Sequence, residues 1–167
     1  LRMTDCGGIY TFARDRRALN TRIARNHISG LRGRLSHAIY LDDFANGVEV
    51  RDNQSQDNPG GMQLHNAFDN LIAGNRFARS AHEHMLFNET APFAVISGNQ
   101  VQGNRFIATD DVPVYRLWSG HGGEHLQRFA QFSGNRYDGN PRRFAQLEQV
   151  GWVDAHQWSQ RMDESAP

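Results

Sequence analysis

An asparagine returns in one short phrase along the chain: "RNHIS" at 25–29, "RDNQS" at 51–55, "AGNRF" at 73–77, "QGNRF" at 102–106 and "SGNRY" at 133–137. The aligned residues are Asn26, Asn53, Asn75, Asn104 and Asn135. Their uneven spacing is what loop insertions into a repeating unit produce. A second phrase runs half a period out of step: "GGIYTF" at 7–12, "HAIYLD" at 37–42, "GGMQLH" at 60–65 and "EHMLFN" at 83–88. Two registers that repeat together restrict the chain to architectures in which one small unit stacks on the next.

Each unit is strand-like. Ile39 and Leu41 alternate with Tyr40 and Asp42, and Val48 and Val50 flank Glu49. Gly and Asn interrupt most helical windows, leaving 143–150, "RFAQLEQV", as the segment that could make two helical turns. Short strands, tight turns and a repeat of a few tens of residues predict an all-β fold, a parallel β-helix of about five coils over 1–140. The segment 141–167 is expected to be a strap packed on its side through Phe144, Leu147 and Val150. The repeated Asn suits a left-handed turn position, with its amide bonded to backbone or to the same residue one coil away. An antiparallel sandwich also uses alternating strands, but has no need of the same turn residue five times.

A chain of 167 residues with 38% hydrophobic residues is long enough for one domain with a core. Its 18 basic and 18 acidic residues cancel, which excludes nucleic-acid binding by bulk charge. A lone cysteine, Cys6, excludes an intrachain disulfide and a thiolate zinc cluster. No apolar run reaches the length of a membrane span, and no segment reads as a signal peptide.

The succession "GGIYTF", "HAIYLDDFANGVEVRDN", "GGMQLHNAFDNLIAGNRF", followed by "RFAQLEQVGWVDAHQWS", resembles the right-handed parallel β-helix proteins of the pectate-lyase-like superfamily, in particular bacterial members that act on polysaccharides. The resemblance covers nearly the whole chain. It implies a polysaccharide partner, a secreted or periplasmic location, and a chain that acts as a monomer in its full-length form. Because such proteins carry more coils, it also implies that these are the C-terminal portion of a longer solenoid.

Aligning the second phrase puts Ile9, Ile39, Met62 and Met85 in one inward column and Thr11, Leu41, Leu64 and Phe87 in another. Tyr10, Tyr40, Gln63 and Leu86, and then Phe12, Asp42, His65 and Asn88, face outward. Aromatic, amide, carboxylate and imidazole groups on one face are what a sugar chain requires. His65 is the candidate acid or base, with Asp42 or Asp43 orienting it or holding a cation. Tyr10, Tyr40, Gln63, Asn88, Arg116 and Trp118 are the candidate substrate contacts.

A lyase also needs a positive group opposite the base, for which Arg14, Arg76 and Arg116 are available; the chain has no lysine. A hydrolase would instead pair Asp42 with Glu83 or Glu89. No metal site is assigned. The i, i+2 pair His82 and His84 would bind zinc only with a third ligand from another coil. Calcium is the ion that oxygens of Asp42, Asp43, Asn66 and Glu89 would suit. His121, Glu124 and His125 form a second cluster in a glycine-containing insertion near Trp118.

The expected function is therefore a carbohydrate-active domain working by uronate β-elimination or glycoside hydrolysis. The alternatives are a noncatalytic polysaccharide-binding or adhesin-like solenoid and a partial solenoid without a ligand.

Overall fold

A computed structural model describes residues 4–90, 95–109, 112–120, 123–139 and 141–162. Three parallel sheets wind around a common core as a right-handed solenoid. The first coil is β1 (Gly7–Thr11), β2 (Thr21–Ala24) and β3 (His27–Ser29), and the second is β4 (His37–Leu41), β5 (Val48–Arg51) and β6 (Gln54–Gln56). The third is β7 (Gly60–His65), β8 (Leu71–Ala73) and β9 (Arg76–Ala78). In the fourth and fifth coils come β10 (Glu83–Glu89), β11 (Asn99–Gln102) and β12 (Arg105–Ile107), then β13 (Tyr115–Ser119), β14 (Ala130–Ser133) and β15 (Arg136–Asp138).

The first sheet has the order β1-β4-β7-β10-β13, with Ile9 opposite Ile39, Met62 opposite Ile39 and Met85, and Tyr115 opposite Met85. Both expected inward columns hold; Ile39, Leu41, Met62, Leu64, Met85 and Phe87 are fully buried. The third sheet contributes an interior stack of Phe77, Phe106 and Tyr137, with ring centroids 5.2 and 5.5 Å apart and nearly parallel planes. Stacked identical positions let rings meet face to face at the rise of the coil.

The repeated asparagines form the expected ladder between the second and third sheets. Asn53 Nδ2 donates to Asn75 Oδ1 at 2.9 Å and to the Ile23 carbonyl, and the Asn53 backbone N–H shares the same oxygen. Asn75 repeats the pattern toward Asn104 and Val50, and Asn104 toward Asn135 and Ile72. The left-handed position, however, is held by the preceding residue. Arg25, Asp52, Gly74, Gly103 and Gly134 have φ of 57, 55, 67, 61 and 60°. This explains why glycine precedes the Asn in the last three phrases. A second, shorter ladder closes the turn before the second sheet, where Asn70 N–H and Nδ2 both donate to Asn99 Oδ1.

The end of the chain departs from expectation. The window 143–150 is not helical: its centre is β16 (Ala145–Leu147), which extends the first sheet beside β13, and Ala145 and Leu147 complete the two inward columns. A strand β17 (Gly151–Val153) then pairs antiparallel with β16, and the helix lies later, at α1 (Ala155–Arg161). Asp154 and Gln157 start it with a reciprocal capping box. Trp158, fully buried, stacks on Tyr115 at 4.6 Å and covers the core at this end. Phe144 and Leu147 are buried in the core itself, not on the side of the solenoid, and Val150 is exposed.

Asn75→Ala would leave the buried N–H and Nδ2 of Asn53 without their shared acceptor. Each unmet buried donor costs ~1–3 kcal/mol, so urea unfolding should show a loss of about 3 kcal/mol or more. Asn26→Ala, at a part-exposed end of the ladder, should cost about 1 kcal/mol.

Candidate functional site

The outward side of the first sheet carries a second column, in which Asn88 is opposite both His65 and Trp118, and Asp42 follows the Leu41–Leu64 pair into the place beside His65. A chain of hydrogen bonds runs across it. Tyr10 Oη donates to Asp42 Oδ2 at 2.5 Å, His65 Nδ1 lies 2.6 Å from Asp42 Oδ1, and His65 Nε2 lies 2.7 Å from Thr90 Oγ1. The Asp43 backbone N–H donates to Asp42 Oδ1 at 2.8 Å, and Asn66 Nδ2 donates to Asp43 Oδ1 at 2.7 Å. Local backbone makes this convergence: Phe44 and Asn66 both have left-handed φ, of 60 and 51°, which turns the chain just after each strand.

Burial on its own would raise the Asp42 pKa, but hydrogen bonds from His65, Tyr10 and the Asp43 N–H outweigh it and hold the carboxyl below its ordinary value. The hydrogen bond to Asp42 raises the His65 pKa, against the opposing effect of burial. Burial and the bond to Asp42 push Tyr10 up to about 12, so it stays a protonated donor. With Nδ1–H committed to the carboxylate, the Nε2 of neutral His65 is a lone pair directed at the exposed Thr90 hydroxyl. The arrangement is an oriented imidazole able to take or give a proton at the surface.

Of the expected site residues, His65, Asp42, Asp43 and Tyr10 are therefore brought together. Tyr40 and Gln63 face the same way but keep only 5% of their surface, forming the floor rather than the rim. Asn88 lies one coil beyond His65. Arg116 and Trp118 line a separate cavity of about 410 Å³ with Leu86, His37 and Glu83.

Several other expectations are corrected. Glu89 is buried, bound by Arg128 at 2.7 and 2.8 Å and by the Ser119 hydroxyl and Ile96 N–H, so it is no ligand at the sheet edge. Glu83 is likewise buried, against His37 and Arg116. His84 points into the core, bonded to Ser80 and the Ile107 carbonyl, where burial lowers its pKa to about 4; it makes no metal pair with His82. Arg76 belongs to the third sheet and lies on another face, while Arg14 is exposed in the turn after β1. His121 lies outside the described residues, as do the side chains of Glu124 and His125.

Among the described residues, Asp42, Asp43 and His65 are the one trio whose ligand-type atoms lie within 4.8 Å of one another. Both Asp42 oxygens already accept hydrogen bonds, so a cation there would compete with Tyr10 or His65. Two participants escaped sequence reasoning, His37 and Thr90, and Glu83 was read only as a hydrolase partner for Asp42. His37 and Glu83 had a signal, since the aligned phrases place them on either side of Gly60 in one column; Thr90 had none.

This outward face and winding define a parallel β-helix protein with an oriented imidazole–carboxylate pair on its first sheet. The family described as "right handed beta helix region" matches residues 6–142, and the chain belongs to that family. No curated protein and no solved structure matches it. No helix among the described residues is long and apolar enough to cross a membrane.

Asp42→Asn should lower the His65 titration midpoint, read from ring-proton NMR shifts. The sign follows from the two shifts. A raised His pKa stabilises the fold below the unfolded value of 6.5 and the effect is lost as pH rises through the folded value. A lowered Asp pKa stabilises it above 3.8, and the effect is lost as pH falls through the folded value. The stability gap between parent and Asp42→Asn should therefore be widest from about pH 4 to 6.5 and narrow on both sides.

Proposed function

We propose that this β-helix is a polysaccharide-processing domain of the pectate-lyase-like kind, outside the cell or in the periplasm, in which a sugar polymer lies on the outward face of the first sheet. The observation that carries this reading is the Asp42-backed His65, a fifth of whose side chain is exposed and whose Nε2 meets the exposed Thr90 hydroxyl and Asn66 Nδ2, contacts a substrate would displace. In the step proposed, His65 takes the proton beside a uronate carboxylate. The electron pair of that C–H bond forms the ring double bond, and the bond to the leaving sugar oxygen breaks, the oxygen then taking up a proton. Elimination is favoured over hydrolysis by Asp42 with Glu83 or Glu89 because hydrolysis needs two available carboxyl groups roughly 5–9.5 Å apart, whereas Glu83 and Glu89 are both buried in ion pairs and Asp43 has an oxygen within 4.8 Å of one on Asp42.

A second reading, a noncatalytic polysaccharide-binding solenoid, is favoured by what surrounds His65. The charged groups around its ring are carboxylates, Asp42 hydrogen-bonded to it and Asp43 3.6 Å from Nδ1, and Arg116, in the column beside it, is two coils further on. An enolate-like charge is stabilised by a cation at close range.

Incubation with acidic and neutral polysaccharides distinguishes the readings. Ultraviolet absorbance of an unsaturated uronate is expected, and new reducing ends without that absorbance would select hydrolysis. Loss of a positioned proton-transfer group costs about 10²–10⁴-fold, so His65→Ala should lower turnover by that much and Asp42→Ala somewhat less. Absence of both products with retained binding selects the binding reading; unchanged turnover in both variants would remove the pair from the mechanism.

A further inference from the structure

Beside the His65–Asp42 pair, and separated from it by Tyr40, lies a second ionisable cluster. The Tyr40 ring centroid is 6.5 Å from that of His65 on one side and 6.2 Å from that of His37 on the other. His37 Nε2 is 3.0 Å from Glu83 Oε1, and Arg116 Nη1 is 3.4 Å from Glu83 Oε2. His37 comes from the second coil and Glu83 from the fourth. The ring crosses the intervening strand because position 60 has no side chain: a Cβ on Gly60 would stand 2.2 Å from His37 Cδ2.

Three ionisable side chains are thus brought together on an outward sheet face, at considerable desolvation cost, where an apolar trio would pack without it. The cluster is not self-satisfied. His37 is 3% exposed, yet its Nδ1 has no hydrogen-bond partner among the described residues, and neither does the buried Nε of Arg116. Two guanidinium groups, Arg34 and Arg116, line the cavity against one carboxylate, Glu83, while Leu86 and Trp118 supply apolar wall. Glu83 engages a single Arg116 nitrogen at a long distance, leaving much of the planar fork open.

We infer that this cavity is a subsite for an anionic substituent, a carboxylate or sulfate, on a sugar residue flanking the one held at His65. The inference rests on the polysaccharide reading above and deepens it. Arg116 stands two coils from His65, about 10 Å along the solenoid axis at the usual strand spacing. That is further than one sugar ring reaches, so the anion it receives belongs to a neighbouring residue. The polymer is accordingly charged at more than one sugar. Glu83 and His37 are positioning residues: Glu83 holds the guanidinium at the wall and His37 holds Glu83.

Binding is the readout, measured by calorimetry on full-length His65→Gln protein so that turnover does not consume the probes. The probes are a uronate oligosaccharide, its carboxyl-reduced counterpart and a sulfated galactan oligosaccharide. The uronate should bind about tenfold more tightly than the reduced form, the scale of one charge-assisted hydrogen-bond pair. Arg116→Gln should erase that difference and flatten its salt dependence. Arg34→Gln, which leaves the Glu83 contacts untouched, should erase part of it. A preference for the sulfated probe with the same Arg116 dependence supports the subsite and identifies the anion as a sulfate ester. Equal affinity for charged and neutral probes, or variants that weaken both alike, would overturn the inference. Failure of elimination alone would not, because no arm of the measurement depends on turnover.

Discussion

The structure depends on how each coil satisfies the backbone where it turns. Between the second and third sheets the chain changes direction within two residues, and the N–H of the residue entering the third sheet is buried. One Asn amide accepts that N–H from the coil before and donates to a carbonyl on the adjacent second-sheet strand of that coil, so each turn is closed by its neighbour. Buried polar groups demand partners, and here the partner is the same residue one coil on. The stacking register is consequently locked at the corner, and the columns on all three sheets inherit it.

With register fixed, the two sides of the first sheet have different freedoms. Inward positions share one cavity and take matched apolar side chains, from Ile39 and Met62 to Met85 and Tyr115. Outward positions have no packing partner imposed on them and can carry chemistry. Sugar polymers extend over many residues, and a stack of coils offers a surface that is equally extended.

Much of this was legible in the letters because stacking makes alignment equivalent to contact: identical phrases predict identical columns, and Asp42 met His65 by that rule. The rule fails where contact skips a coil or crosses from one turn to another. Glu89 looked like an edge ligand because its partner, Arg128, lies 39 residues further on and reaches it only in the fold. His37 reaches Glu83 across Gly60, a contact that shows in the letters only when three successive phrases are aligned in one column and the middle residue is seen to lack a side chain. The helix was misplaced for a different reason. Phe144 and Leu147 repeat at a spacing that suits a helix, but Ala145 and Leu147 also continue the inward columns, and packing against Tyr115 and Leu117 decided in favour of a strand. The Asp154–Gln157 capping signal marked the true start.

The two imidazole–carboxylate pairs on the face have the same chemistry and opposite settings. His65 and Asp42 retain about a fifth of their side-chain surface, at 20% and 19%, so protons can pass between the ring and whatever occupies the face. His37 and Glu83 retain 4% and 5%, and Glu83 is also tied to Arg116, so a proton exchanged there would have to be supplied through a buried ion pair. Burial therefore divides the two pairs: the accessible one is suited to moving a proton, and the enclosed one to holding the Arg116 guanidinium at the cavity wall.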